Sequence, residues 1–282
     1  MSITSLFRRG RIKGGAAGNN PEATQPALLG SAVRYPYGAF RFKTQLVKGT
    51  PYEIQATTNF KQWVSILSDD SPGEIEFVDP NASKFSSRFY RLNVNETYSA
   101  NIIGYITVNL PPGFSMIANP LLSEDSSVAG LFKGMPSGAE VSRFDSRGYH
   151  LTTNICSRGK WTNPGERLLP GEGALVYNPT TDYIALSFAG EVRQGRLSVP
   201  VVAGFSIRSC PIPQPGRLDT ELDFPIDEGD VIHLFDRDRQ KYVLYPYRDS
   251  GWSGDAPLVG VGESFWVAKG SPRNWSCSLT VM

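Results

Sequence analysis

The chain has 282 residues, with 28 Lys and Arg against 27 Asp and Glu, for a formal net charge of +1. That balance argues against a nucleic-acid coat or a broad membrane-surface protein, and an apolar content of 40 % excludes a wholly disordered chain. The length predicts two domains or three small ones, and 28 Gly with 21 Pro predict abundant turns.

Residues 1–34 read as an extended arm. Arg8, Arg9, Arg11 and Lys13 form a basic cluster, followed by Gly14, Gly15, Gly18 and Asn19-Asn20-Pro21. No hydrophobic period is sustained there, so such a segment is expected to be ordered only by a partner. The four positive charges suit either the phosphates of a nucleic acid or a neighbouring protein subunit. Without interleaved aromatic residues, the subunit contact is the expectation.

From residue 35 the pattern changes to strands. Phe40, Phe42, Thr44 and Leu46 alternate with Arg41, Lys43 and Gln45, and Tyr52, Ile54 and Ala56 alternate with Glu53 and Gln55. Apolar runs at 63–67, 75–78 and 89–92 follow, separated by Lys48-Gly49-Thr50-Pro51, Ser71-Pro72-Gly73 and Asp79-Pro80-Asn81. Short strands with such punctuation predict a small antiparallel sandwich, fibronectin- or immunoglobulin-like, over residues 35–97.

The rest of the chain repeats itself at an offset of 91 residues. Val108, Gly113, Phe114, Ser115 and Pro120 fall on Val199, Gly204, Phe205, Ser206 and Pro211. Phe144-Asp145, Trp161, Gly171-Glu172 and Val176 fall on Phe235-Asp236, Trp252, Gly262-Glu263 and Val267. Identities at one fixed offset, mostly in glycines and large aromatics, predict two β-rich repeats at 98–192 and 193–282. Both contain strand patterns and a tight Phe-Asp hairpin turn, and one helical turn is expected near Val128–Lys133. Whether the repeats form separate domains or one pseudo-twofold body is left open by the sequence. The predicted fold is therefore all-β: an arm, a small sandwich and two tandem repeats.

Two stretches carry a resemblance. One is Tyr52 to Trp63 with its Thr-Asn-Phe-Lys-Gln-Trp end, closed by Phe77-Val78-Asp79 and Arg88-Phe89-Tyr90-Arg91-Leu92; the other is Gly113-Phe114-Ser115-Met116-Ile117-Ala118-Asn119-Pro120-Leu121. They resemble a β-sandwich module and a Gly-Phe-x-x-Ile-x-Asn-Pro-Leu repeat of large surface and secreted proteins of planctomycete and verrucomicrobial bacteria. The resemblance covers about residues 40–282, implies the fold and carries no catalytic residue. Those proteins usually carry a secretion signal, and the N-terminus here lacks the continuous apolar stretch of one.

The residue types that carry chemistry have structural explanations. Cys156, Cys210 and Cys277 are expected to be buried free thiols, since their number and spacing suit neither a disulfide framework nor zinc. His150 and His233 lack a paired ligand. Gly260-Val261-Gly262 lacks the third glycine of a dinucleotide fingerprint. Glu172 and Glu263, preserved by the repeat, are read as carboxylates holding turns. The acidic run Asp219, Glu221, Asp223, Asp227, Glu228 and Asp230 is read as a solvated loop, with a weak calcium site as the lesser alternative. Trp161/Trp252 and Phe114/Phe205 are expected in cores. Tyr245, Tyr247 and Trp252 are the candidate contacts for a sugar or a protein partner. No catalytic residue, metal or cofactor is expected, and no run of ~18 apolar residues suggests a spanning helix. The functional expectation is a non-enzymatic structural subunit of a large assembly, such as a capsid-decorating, collar or tail component of a virion, held to other subunits by β-domain faces and by Arg8, Arg9, Arg11 and Lys13. A surface adhesin or carbohydrate-binding module is the alternative.

Overall fold

The computed structural model describes residues 27–35 and 38–280, and apart from single helical turns its regular elements are all β-strands. Seven strands come first: β1 (Gly30–Arg34), β2 (Phe40–Gln45), β3 (Pro51–Thr57), β4 (Val64–Asp70), β5 (Glu74–Asp79), β6 (Ser87–Val94) and β7 (Thr97–Tyr98). Residues 27–34, expected in the arm, belong instead to this body. Leu29 is buried and its backbone exchanges two 2.8 Å hydrogen bonds with the Asn101 amide, while β1 pairs antiparallel with β2. Alternation had no room to show in so short an edge strand.

The sheet β1-β2-β5 faces the sheet containing β4, β3 and β6. The apolar sides of β2 (Phe40, Phe42) and β3 (Tyr52, Ile54) close with Tyr90, Leu92 and Tyr105 into one core. The residues of the two sequence stretches around 57–63 and 88–91 are explained by this packing. Thr57 Oγ1 accepts the N–H groups of Asn59 and Phe60, and Asn59 Oδ1 accepts those of Lys61 and Gln62. Phe60 stacks on Phe89, Arg88 and the Tyr90 hydroxyl both bond the buried Asp79, and Arg91 lies between the Trp63 and Tyr98 rings.

The first β unit after residue 98 holds β8 (Ile103–Leu110), β9 (Gly113–Ile117), β10 (Leu121–Leu122), the turn α1 (Val128–Leu131), β11 (Glu140–Asp145), β12 (His150–Ser157), β13 (Lys160–Trp161), β14 (Ala174–Asn178) and β15 (Ile184–Val192). The turn α1 sits where the sequence predicts it, with Ser127 Oγ accepting the Gly130 N–H as its N-cap. Strand β8 pairs with β15 on one side and with β6 on the other. One sheet therefore runs β10-β15-β8-β6-β3-β4 across the 97/98 boundary.

The second unit holds β16 (Gly195–Val201), β17 (Gly204–Ser209), β18 (Gly216–Arg217), β19 (Val231–Asp236), β20 (Lys241–Arg248), β21 (Gly251–Trp252), β22 (Leu258–Val259), β23 (Ser264–Lys269) and β24 (Arg273–Leu279). Its five-stranded sheet β17-β23-β19-β20-β21 matches β9-β14-β11-β12-β13 strand for strand. The registers match too: Glu140↔Ile155 and Asp145↔His150 recur 91 residues on as Val231↔Pro246 and Asp236↔Lys241. Left-handed backbone recurs at Tyr149 and Gln240 and at Arg158 and Asp249. The last strand is the exception. Ile184 pairs with Leu110, whereas Trp275 pairs with Val199 rather than Val201, because the connection from β23 to β24 is two residues shorter.

The two units face each other reciprocally. Ala118 N–H donates to Gly262 O at 2.9 Å, and Ser209 N–H donates to Gly171 O at 3.2 Å, the same pair with the units exchanged. The bridges Ile117↔Glu263 and Glu172↔Arg208 are likewise exchanged. Contacts of this isologous kind arise only around a twofold axis, here a pseudo-axis within one chain. Gly173 and Ser264, equivalent positions, meet on it: a Cβ at Gly173 would lie 2.3 Å from Ser264 Cβ. One apolar core spans both units and reaches Phe60 and Phe89 of the first sandwich.

Candidate functional site

Arg8, Arg9, Arg11 and Lys13 lie outside the described residues. Tyr245, Tyr247 and Trp252 lie on β20 and β21 and are all half-buried. The Trp252 ring meets Tyr247 edge-on at 5.2 Å, its Nε1 donates to Asp219 Oδ2 at 2.7 Å, and with Tyr245 it packs against the core. Its equivalent Trp161 is buried against Phe132. These rings therefore do not form an open platform.

Glu172 and Glu263 are engaged in holding the backbone. Glu172 Oε2 accepts the Leu169 N–H at 2.9 Å, and Glu263 Oε2 accepts the Gly260 N–H at 2.8 Å, one arrangement in two units. Arg143 pairs with Glu172 at 3.0 Å and Arg237 with Glu263 at 2.6 Å. The acidic run is not wholly solvated. Asp230 is fully buried, and with Asp227 it holds the Lys269 ammonium, while Arg273 bonds Asp227 from outside. Arg273 and Lys269 together keep the Asp227 carboxyl well below its usual range. The acidic side chains nearest one another thus already have cations, and among the described residues no group of His, Cys, Asp and Glu is placed to hold a metal. All three cysteines are free and buried, and burial pushes the thiols of Cys210 and Cys277 up to about 12 and about 11. Neither is a thiolate at neutral pH.

The open site is a cleft at the junction of the two units, lined by Phe144, Tyr149, Phe205, His233, Tyr242 and Trp266. Strand periodicity builds its floor. On β23 the side chains of Phe265 and Val267 turn into the core, which turns Trp266 to the other face; on β19 Ile232 turns inward and His233 outward. His233 and Trp266 are register partners, so they stand side by side. The first unit supplies the wall. The left-handed Tyr149 at the end of its hairpin brings its ring to 6.3 Å from Phe205, and Phe144 packs on Trp266 at 4.8 Å. Each neighbouring pair of rings is close to perpendicular: 68° for Phe144–Trp266, 74° for Phe144–Tyr149 and 78° for Phe205–Trp266. Trp266 Nε1 donates to the Tyr242 hydroxyl at 3.1 Å. Burial lowers the pKa of His233, which favours the neutral imidazole. The cleft offers ring faces and few hydrogen-bonding groups.

The equivalent positions on the other side of the pseudo-axis are Phe235, Gln240, Phe114, Ser142, Leu151 and Leu175. There Gln240 closes the site instead of opening it. Its amide accepts from the Phe114 N–H at 2.7 Å and donates to the Phe114 O at 2.9 Å, and Tyr177 packs tilted against one side of the Phe114 ring, which stays partly exposed. The fold is thus built equally well with Ser, Leu and Leu where the cleft has His233, Tyr242 and Trp266. This difference stands in the sequence at the 91-residue offset, at positions where the two halves differ rather than agree. Comparison of the chain with protein families, curated proteins and solved structures returns no match.

Proposed function

We propose that this chain is a non-enzymatic structural subunit of a larger assembly, of the collar, tail or capsid-decorating kind found in virions, joined to a neighbour through the aromatic cleft. The observation that carries this reading is the one-sided cleft itself. A cluster of five aromatic rings and a neutral imidazole at the surface, absent from the equivalent side of the same body, serves recognition better than folding. The surrounding architecture supports the same reading. The first unit shares a sheet with the sandwich and the two units share one apolar core, which makes a rigid spacer, and Glu172 and Glu263 are tied into turns and ion pairs. The alternative, an adhesin holding a glycan, would draw on the same rings. It is less favoured because a sugar needs several convergent polar partners, which this lining lacks.

The test is the mass of the purified full-length chain in solution, by light scattering on a sizing column over a range of concentrations. Self-association or co-purification with particle components is expected, with loss of both in the triple variant His233→Ser, Tyr242→Leu, Trp266→Leu. That variant imports the residues of the other side and keeps the fold. A wild type that stays monomeric and is absent from native particles would defeat the proposal.

A further inference from the structure

We infer that the basic segment Leu6–Lys13 of one copy docks in the aromatic cleft of a neighbouring copy, with its guanidinium groups over the ring faces. The inference rests on the assembly reading above and names the segment that makes the contact.

The chemistry of the cleft points to a cation carried on an apolar segment. Aromatic faces are electron-rich and attract guanidinium most strongly where water is excluded. Five rings line the open cleft, and among the described residues no Lys or Arg lines it. An occupant rich in hydroxyls would find few partners, whereas a planar, weakly hydrated guanidinium stacks without needing them all.

The chain uses this contact repeatedly elsewhere. Arg91 lies 3.6 Å from the Tyr98 ring centre and 4.3 Å from that of Trp63; Arg34 lies 3.9 Å from Tyr105 and Arg88 4.4 Å from Phe85. In the sandwich, then, aromatic faces take arginines of their own chain. The cleft is an open aromatic cluster whose lining, among the described residues, includes no arginine.

The segment that fits is in the sequence. Arg8, Arg9, Arg11 and Lys13 are not offset by any acidic residue before Glu22, and Leu6-Phe7 stands beside Arg8-Arg9 to meet the apolar floor. Twenty-six residues precede the first described one, Ala27. Extended, they reach up to roughly 85 Å, enough to cross to an adjoining molecule. Shared arms of this kind add effective concentration to whatever faces already meet.

The experiment uses the full-length chain carrying Arg8→Gln, Arg9→Gln, Arg11→Gln and Lys13→Gln, so that its own segment does not compete. A fluorescent peptide of residues 1–20 is titrated in and followed by anisotropy. Saturable binding is expected, weakened about tenfold or more when His233→Ser, Tyr242→Leu and Trp266→Leu are added, and lost when the peptide carries the same four Gln substitutions. Binding that ignores the cleft substitutions, or a Gln peptide that binds as tightly, would overturn the pairing. Association of the wild type without any peptide binding would overturn this pairing alone. A wild type that stays monomeric and is absent from native particles would overturn the assembly reading on which it rests.

Discussion

Lys269 has no exposed side-chain surface. Its ammonium donates to Pro225 O and Asp227 Oδ2 at 2.7 Å and to Asp230 Oδ2 at 2.5 Å, and Asp230 is equally buried. The equivalent positions in the first unit hold Asn178 and Ala139, also buried and uncharged. The charges are therefore dispensable to the fold as a pair and costly singly. Lys269→Met, which strands Asp230 in the interior, should lower the urea-unfolding free energy by about 3–5 kcal/mol. The double substitution Lys269→Asn, Asp230→Ala, which transplants the first unit's solution, should recover most of that loss. Equal loss in both would mean that the pair is a specific requirement of the second unit. The acidic residues were plain in the sequence, but their partner lies some forty positions away, so only the fold shows that two of them answer a buried lysine.

Strands β14 and β23 approach at the pseudo-axis, where there is room for one side chain and not two. Gly173 and Ser264 divide that room unequally. Gly173→Ser, which makes the positions alike, should destabilise by about 1–3 kcal/mol through overpacking. Adding Ser264→Gly should recover part of that loss, since it removes the Ser264 contact and leaves the new Cβ only the Ile207 methyl, 2.6 Å away, to displace. Failure of that rescue would argue that the two strands do not meet there. The edge of β16 shows a different device. The equivalent edge of β8 is covered by β6, with Thr107 N–H donating to Ser86 O. Among the described residues no strand covers the β16 edge. At the position equivalent to Asn109 it carries Pro200, which has no N–H to offer, and Arg208 Nε caps the Pro200 carbonyl at 3.0 Å. An open edge is thus blunted by a proline and a guanidinium.

The continuous sheet sets what can be cut from the molecule. The repeats alone, residues 98–282, would lose β6 and so expose the β8 edge together with the apolar surface that Phe60 and Phe89 cover. Expressed without the sandwich, that fragment should run as oligomers or aggregate on a sizing column, while the full chain unfolds in urea as a single transition. A stable monomeric fragment would show that the sandwich is an independent passenger.

The sequence by itself determined the all-β character, most strand positions and the turns. Those signals are local: the two-residue alternation of Phe40-Arg41-Phe42, the Asp145 and Asp236 turns, the glycines at fixed offset. It also placed Glu172 and Glu263 in turns, because a carboxylate three residues after an N–H closes a local loop. What only the tertiary structure decided is which surfaces meet. Alternation tells that Trp266 and His233 point away from the core side, yet not that Phe144 and Tyr149, more than eighty residues earlier, stand over them. The same holds for residues 27–34, which β2 and Asn101 hold in place, and for Trp252, whose indole N–H is taken by Asp219. Periodicity records one strand's two faces; the cleft is made by two units closing around an axis that no stretch of sequence contains.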